Sequence, residues 1–134
     1  MIYVTRREVF SASHRLHNEN LSTEENKALY GKCNNDYGHG HNYVLEVVVA
    51  GEIDPTSGYL LDMKQLKSII IECVIKKIDH RHMNYDVEFM KGIVPTTENL
   101  AVAIWTQLVD QIPNGKLHSI KLYETENNYV KYKG

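Results

Sequence analysis

The segment HGHNYVLEVVVAG, from His39 to Gly51, contains the clearest β-strand of the chain. Its part from Asn42 to Gly51 is dense in valine, whose branched side chain favours strands. The segment opens with His39-Gly40-His41, and residues two positions apart on a strand point to the same face of the sheet. The motif therefore predicts two imidazoles side by side at the start of a strand.

Segments on either side of this strand carry the signals of further strands and helices. On the N-terminal side we expect a strand from Tyr3 to Ser13 and a short helix from about Asn26 to Tyr30, introduced by a capping box that begins at Ser22. On the C-terminal side we expect, in chain order, a helix from Asp62 to Ile78, a helix from Thr96 or Thr97 to Gln111, a strand from Lys116 to Thr125 and a strand from Tyr129 to Lys133.

The order of the main elements, ββααββ, separates strands from helices and so predicts an α+β fold. We expect a four-stranded antiparallel sheet with two helices on one face, formed by a single domain of residues 1–134. Such a sheet leaves two open edges, which favour association between subunits through edge pairing.

Composition argues against several classes of protein. The 134 residues carry a formal net charge of −2, so no excess of basic residues points to nucleic acid or to a membrane surface. No apolar run approaches the roughly 20 residues of a transmembrane helix, and the N-terminal residues MIYVTRREVF lack the apolar core of a signal peptide. Two cysteines without a CxxC motif are typical of a reducing compartment, and we expect a cytoplasmic protein.

Three histidines near predicted strand ends suggest a metal site. His14 closes the first strand, which is expected to pair with the strand that begins at His39 and His41. Three neutral imidazoles without a fourth protein ligand are typical of a catalytic zinc ion with an open coordination position. The alternative is that all three are ordinary polar residues at strand ends, and the pattern alone favours neither interpretation.

Other reactive side chains lie outside this pattern. Cys33 is expected in a loop beside a lysine, where a thiolate could act as a base or nucleophile. Asp79-His80 follows the first long helix and could relay protons, although a histidine at a helix C-terminus also suits the helix dipole. Glu124 is expected to face inward from a strand and could accept two parallel N–H donors; a surface glutamate is the alternative.

Several separate motifs, in the same order along nearly the whole chain, resemble those of the 6-pyruvoyl-tetrahydropterin synthase family. They are FSASHRL from Phe10 to Leu16, GKCNNDYGHGHNY from Gly31 to Tyr43, GEIDPTSG from Gly51 to Gly58, Asp79-His80, TTEN from Thr96 to Asn99 and YETENN from Tyr123 to Asn128. The resemblance implies the tunnelling fold, in which subunit sheets join edge to edge into a trimeric barrel and two trimers stack into a hexamer. It also implies active sites between subunits.

The resemblance further implies an activity and roles for individual residues. The family's reaction converts 7,8-dihydroneopterin triphosphate into 6-pyruvoyl-tetrahydropterin and triphosphate, on the way to tetrahydrobiopterin. By motif, the family's zinc ligands match His14, His39 and His41, and its catalytic base matches Cys33. Its relay pair matches Asp79 and His80, and its pterin anchor matches Glu124. Further substrate contacts match Thr96, Thr97 and Glu98. Magnesium is also associated with the family's activity, and the sequence shows no site for it.

Two alternative functions remain open from the sequence. A relative, 6-carboxy-tetrahydropterin synthase, acts on the same substrate, but its catalytic cysteine lies closer to the HGH motif than the Cys-x5-His-Gly-His spacing of this chain allows. The second alternative is a non-catalytic binding module stabilised by zinc. Structural zinc sites are closed by four protein ligands, usually including cysteines, so this alternative requires Cys33 to bind the ion.

Overall fold

The computed structural model describes all 134 residues, from Met1 to Gly134. The strands are β1 (Ile2–His14), β2 (His39–Gly51), β3 (Arg81–His82), β4 (Lys116–Tyr123) and β5 (Tyr129–Tyr132). The helices are α1 (Thr23–Tyr30), α2, which comprises Met63–Ile70, a π-helical segment Ile71–Ile75 and a last turn Lys76–Ile78, and α3 (Thr97–Leu108). The predicted α+β class is therefore confirmed.

The five strands form one sheet in the order β3-β1-β2-β4-β5. β1 and β2 pair antiparallel along their whole length, from Ile2 opposite Gly51 to His14 opposite His39. β4 pairs antiparallel with β2, and β5 pairs antiparallel with β4. The valine-rich strand thus lies at the centre of the sheet.

The prediction of a four-stranded, purely antiparallel sheet was wrong. A fifth strand, β3, runs parallel to β1 beside Ala12 and Ser13. Backbone hydrogen bonds hold it there, from the N–H of His80 to the carbonyl of Ser11 (2.6 Å) and from Met83 to Ser13 (2.8 Å). A strand of two residues has neither alternation nor an apolar run, so no local pattern reveals it.

Helices α2 and α3 pack on the same face of the sheet, as predicted, and enclose one apolar core. The buried positions of α2 are Leu66, Ile70, Val74 and Ile78, each four residues after the last. Because an α-helical turn has 3.6 residues, side chains at this spacing drift around the helix by about 40° per step. The wider π-helical turn reverses the drift and keeps all four side chains on the sheet.

The predicted caps are present, while several element ends differ by a few residues. The caps of the three helices are Ser22, Asp62 and Thr96. The first helix begins directly after its cap instead of near Asn26, α3 ends at Leu108 instead of Gln111, and β4 ends at Tyr123 instead of Thr125. None of the helices combines the length and the hydropathy needed to cross a lipid bilayer.

Candidate metal centre

Three histidines meet where β1 ends and β2 begins. His14 lies opposite His39 in the ladder, and His41 lies opposite Ala12. One possible ligand atom from each histidine lies within 4.8 Å of the others. The ring centroids are 4.8 to 5.2 Å apart. The predicted histidine cluster is therefore formed.

The hydrogen bonds around the cluster fit a metal ion. The Nδ1 atom of His14 lies 2.7 Å from the carbonyl oxygen of Pro95. A carbonyl only accepts, so Nδ1 carries the proton and Nε2 keeps its lone pair. The Nε2 atoms of His14 and His41 are buried and have no hydrogen-bond partner. Buried nitrogens of this kind are unfavourable unless a ligand pairs with them, and imidazole nitrogens are preferred ligands of zinc.

The electrostatics of the cluster favour the metal-binding form of its side chains. Burial lowers the pKa of His14 and also the pKa of His41. The neighbouring imidazole of His39 lowers both further, because two positive charges in one site repel, while Glu124 acts in the opposite direction. The net effect favours the neutral imidazoles of His14 and His41 at neutral pH, and the neutral form is the one that binds a metal.

The turn into β2 requires glycine at position 38. Its φ of +74° lies in the left-handed region, and a Cβ atom there would lie 2.6 Å from the carbonyl oxygen of His14. The backbone that leads into His39 is therefore held against the end of β1. This close approach fixes the two strand ends that carry the cluster.

Glu124 lies directly after β4 and faces the cluster. Its Oε2 atom is 3.9 Å from Nε2 of His14, and its Oε1 atom is 3.9 Å from Nε2 of His41. The hydroxyl of Thr97 donates a hydrogen bond of 2.6 Å to Oε2. The carboxylate is thus partly buried beside the histidines, and α3 holds it in place.

An open cavity of about 430 Å³ lies next to Glu124. Its lining includes Thr97 and Glu98 from the first turn of α3 and Asn127 and Asn128 from the β4–β5 turn. Thr96 does not line it, because its side chain caps α3 by accepting the N–H of Asn99. Two of the three further residues predicted to contact a substrate therefore face this space.

Cys33 lies outside the histidine cluster. It is a half-buried, free cysteine on the 3₁₀ turn Gly31–Asn34. Its carbonyl accepts the N–H of Leu16 at 2.9 Å, which ties the turn to the segment that follows β1. No cysteine belongs to the group of side chains that could hold an ion, so the three histidines leave a coordination position open.

Asp79 and His80 form a contact pair at the edge of β1. The Nδ1 atom of His80 lies 3.0 Å from Oδ2 of Asp79. Oδ1 of Asp79 accepts the backbone N–H of Ser11, and this hydrogen bond lowers the pKa of Asp79. His80 has a φ of +61°, which is uncommon outside glycine, and its side chain is 83% exposed. No hydrogen bond or ion pair joins this pair to the histidine cluster of the same chain.

Tyr43 belongs to this site although the sequence pattern does not single it out. It lies on β2 two residues after His41, and its hydroxyl is buried without a partner. An aromatic residue on the inward face of a strand is typical of a core position. The sequence contains one indication of a second role. Tyr43 lies two residues after His41 and four after His39, so on a strand it points to the same face as both histidines.

Comparison with known proteins gives consistent matches over the whole chain. The family model described as 6-pyruvoyl tetrahydropterin synthase matches residues 3–134. The chain is 50% identical over 131 residues to the human 6-pyruvoyl tetrahydrobiopterin synthase, covering 98% of this chain and 90% of that protein. It is 50% identical over 133 residues to the Dictyostelium discoideum protein of the same name, covering 99% and 96%. The solved structure of Caenorhabditis elegans 6-pyruvoyl tetrahydropterin synthase matches with a TM-score of 0.93 at 45% identity, covering 99% of this chain and 95% of that one.

Proposed function

The chain belongs to the 6-pyruvoyl tetrahydropterin synthase family, and on this premise we propose how it acts. It is a lyase that converts 7,8-dihydroneopterin triphosphate into 6-pyruvoyl-tetrahydropterin and triphosphate in tetrahydrobiopterin synthesis. The reaction eliminates triphosphate and moves protons within the substrate. It therefore requires a Lewis acid, a base and a group that fixes the pterin ring.

The convergence of His14, His39 and His41 is the observation that carries the proposal. We assign one zinc ion per subunit to these three residues. A zinc ion held by these three residues would supply Lewis acidity, which would make the C–H and O–H bonds of the substrate side chain more acidic. The hydrogen bond from His14 to Pro95 supports the assignment, because ligating histidines commonly donate their second nitrogen to a carbonyl.

Glu124 is proposed to anchor the pterin ring. A carboxylate can accept two N–H bonds side by side, which matches the paired donors of a pterin. The hydroxyl of Thr97 already occupies one lone pair of Oε2 and so orients the carboxylate before the substrate arrives. The cavity beside Glu124 gives the ring a place to bind.

The proton transfers are assigned to Cys33 as the base and to the Asp79–His80 pair as a second carrier. The hydrogen bond from Ser11 stabilises the Asp79 carboxylate, and this anion can in turn orient the His80 imidazole. His80 is exposed at a sheet edge, where a substrate held by another chain can reach it. We propose that neighbouring subunits share each site.

The open sheet edges support a homohexamer of two trimers as the assembly. β3 covers β1 only beside Ala12 and Ser13, so most of that edge is available for pairing. β5 forms the opposite edge and pairs only with β4. We propose that the single domain formed by residues 1–134 assembles through these edges and acts in the cytoplasm.

A non-catalytic zinc module fits the chain less well. Such a module needs a closed site with a fourth protein ligand, usually a cysteine. The group of potential ligands consists of three histidines, and Cys33 is not among them. An open position is what a substrate needs in order to reach the ion.

Incubation with 7,8-dihydroneopterin triphosphate tests the proposed function. Zinc-loaded protein is expected to release triphosphate and to yield the 6-pyruvoyl product, identified by mass spectrometry, while chelator-treated protein is expected to be inactive. The assay is run with and without Mg²⁺, because the resemblance to the family also implies a magnesium requirement. Formation of 6-carboxy-tetrahydropterin as the main product would assign the chain to the alternative reaction.

A further inference from the structure

Tyr43 lies beside the histidine cluster, and contacts with neighbouring rings hold its side chain in one orientation. Its ring stacks on Phe10, its partner across the β1–β2 ladder, with centroids 5.0 Å apart and planes 12° apart. The rings of His41 and His14 stand nearly perpendicular to it, with centroids at 5.7 and 6.4 Å. Contacts on several sides therefore leave the tyrosine ring little freedom to rotate.

The hydroxyl of Tyr43 is buried and unpaired, although its ring contacts do not require a hydroxyl. Phenylalanine would make the same contacts without placing an unpaired polar group in the interior, which is unfavourable. A tyrosine hydroxyl carries its proton at neutral pH and is available as a donor.

The buried polar atoms without partners include Nε2 of His14, Nε2 of His41 and the hydroxyl of Tyr43, whose ring contacts both histidines. A metal ion pairs with the two nitrogens, but a protonated hydroxyl needs an acceptor instead. An ion with three protein ligands binds a further oxygen, from water or from a substrate, at its open position. This oxygen is the acceptor that the tyrosine lacks.

We propose that Tyr43 is a positioning residue that donates a hydrogen bond to the oxygen bound at the open position of the metal. The inference rests on the proposed function, because it requires the ion. The hydrogen bond orients that oxygen and satisfies the only buried hydroxyl that lacks a partner. It also explains why position 43 is a tyrosine and not a phenylalanine.

Zinc titration of the full-length Tyr43→Phe protein tests the proposal. We expect a zinc Kd about 10-fold or more weaker than that of the wild type, the range seen when a group hydrogen-bonded to a metal's ligand shell is removed. The melting temperature of the metal-free variant is expected to equal or exceed that of the wild type, because an unpaired buried hydroxyl has been removed. Tyr132→Phe is the matched control, since this partly buried tyrosine packs on Trp105 and should change neither value.

The outcomes separate the two sources of the oxygen. A weaker zinc Kd in the absence of substrate supports the proposal and identifies metal-bound water as the acceptor. An unchanged zinc Kd with kcat/KM lowered about 10-fold supports it and identifies a substrate oxygen. An unchanged zinc Kd together with an unchanged kcat/KM overturns it.

The same experiment separates this inference from the proposed function. If zinc-loaded wild-type protein fails to turn over 7,8-dihydroneopterin triphosphate, the proposed activity is rejected; a weaker zinc Kd in the Tyr43→Phe protein then still supports the role of Tyr43, and an unchanged zinc Kd overturns it. If the wild-type protein binds no zinc, the metal assignment and the role of Tyr43 are both overturned.

Discussion

The Nδ1 atom of His14 donates to the carbonyl oxygen of Pro95, directly before Thr96 caps α3. One short segment therefore orients an imidazole of the candidate metal centre and also starts the helix that carries Thr97. Because Thr97 holds the carboxylate of Glu124, the segment from Pro95 to Thr97 contacts both the proposed metal site and the proposed pterin anchor. We therefore expect that metal binding raises the affinity for the substrate and that substrate binding raises the affinity for the metal.

Removal of one histidine is expected to abolish zinc binding. His39 is the best position for the test, because it is only half-buried and its loss leaves the core intact. Metal analysis of His39→Ala should find almost no zinc, compared with about one ion per chain in the wild type. His118→Ala, on β4 away from the cluster, should keep its zinc. Full zinc content in the His39 variant would reject the assigned ligand set.

The metal-free chain is expected to become less stable as the pH falls from about 7 to 5. The pKa values of His14 and His41 lie below their ordinary value of 6.5. The unfolded chain therefore binds more protons in this range, and the free energy of unfolding decreases as the pH falls.

Thermal unfolding in the presence of a chelator measures this pH dependence. His41→Asn should show a shallower decrease in melting temperature between pH 7 and pH 5 than the wild type. His118→Asn should follow the wild type. A melting temperature of the wild type that does not change over this range would contradict the prediction.

Glu124→Gln is expected to weaken substrate binding. The amide presents a donor where the pterin needs an acceptor, and the loss of a hydrogen bond to a charged group costs about 1.5–3 kcal/mol. Titration with the pterin substrate under non-turnover conditions measures the change. Glu126→Gln, at an exposed position in the turn after β4, should bind as the wild type does. Wild-type affinity in the Glu124 variant would count against the anchor role.

Cys33→Ala is expected to keep zinc and substrate binding but to lose turnover by about 10²–10⁴-fold, the contribution typical of a general base. Steady-state kinetics and metal analysis of the same sample test both statements. Cys73→Ala is the matched control, because this second free cysteine packs against the apolar core. Near-normal turnover would remove Cys33 from the mechanism, and loss of zinc would make it a metal ligand.

The native assembly is expected to have about six times the chain mass of 15.5 kDa. Pairing of the open sheet edges and the separation of the Asp79–His80 pair from the histidines of the same chain both favour an assembly of several subunits, and the family resemblance implies six. Light scattering at several protein concentrations measures it. A monodisperse monomer with full activity would show that one chain forms a complete site.

The features that the sequence predicted correctly depend on local periodicity. The two-residue repeat of a strand places His39 and His41 on one face, and the cap of a helix is set by one side chain and the next turn, as at Asp62. The pairing of His14 with this strand needed only the usual contact between neighbouring strands.

The features that the sequence did not predict depend on distant residues. β3 exists because the backbone after α2 meets Ser11 and Ser13, about 70 positions away. The unpaired hydroxyl of Tyr43 is defined by everything that surrounds it, since a tyrosine on the inward face of a strand usually finds a partner. Neither feature can be recognised from the few residues on either side of it in the sequence.

The π-helical segment of α2 bears on how relatives of different length should align. A π-helical turn contains one more residue than the α-helical turn it replaces. Deletion of one residue from Ile71–Ile75 is therefore expected to restore a regular α-helix. The Asp62 cap at one end and the Asp79–His80 pair at the other would keep their orientation relative to one another. Single-residue gaps among relatives should accumulate inside this helix, where gaps are otherwise rare, without displacing the residues that follow.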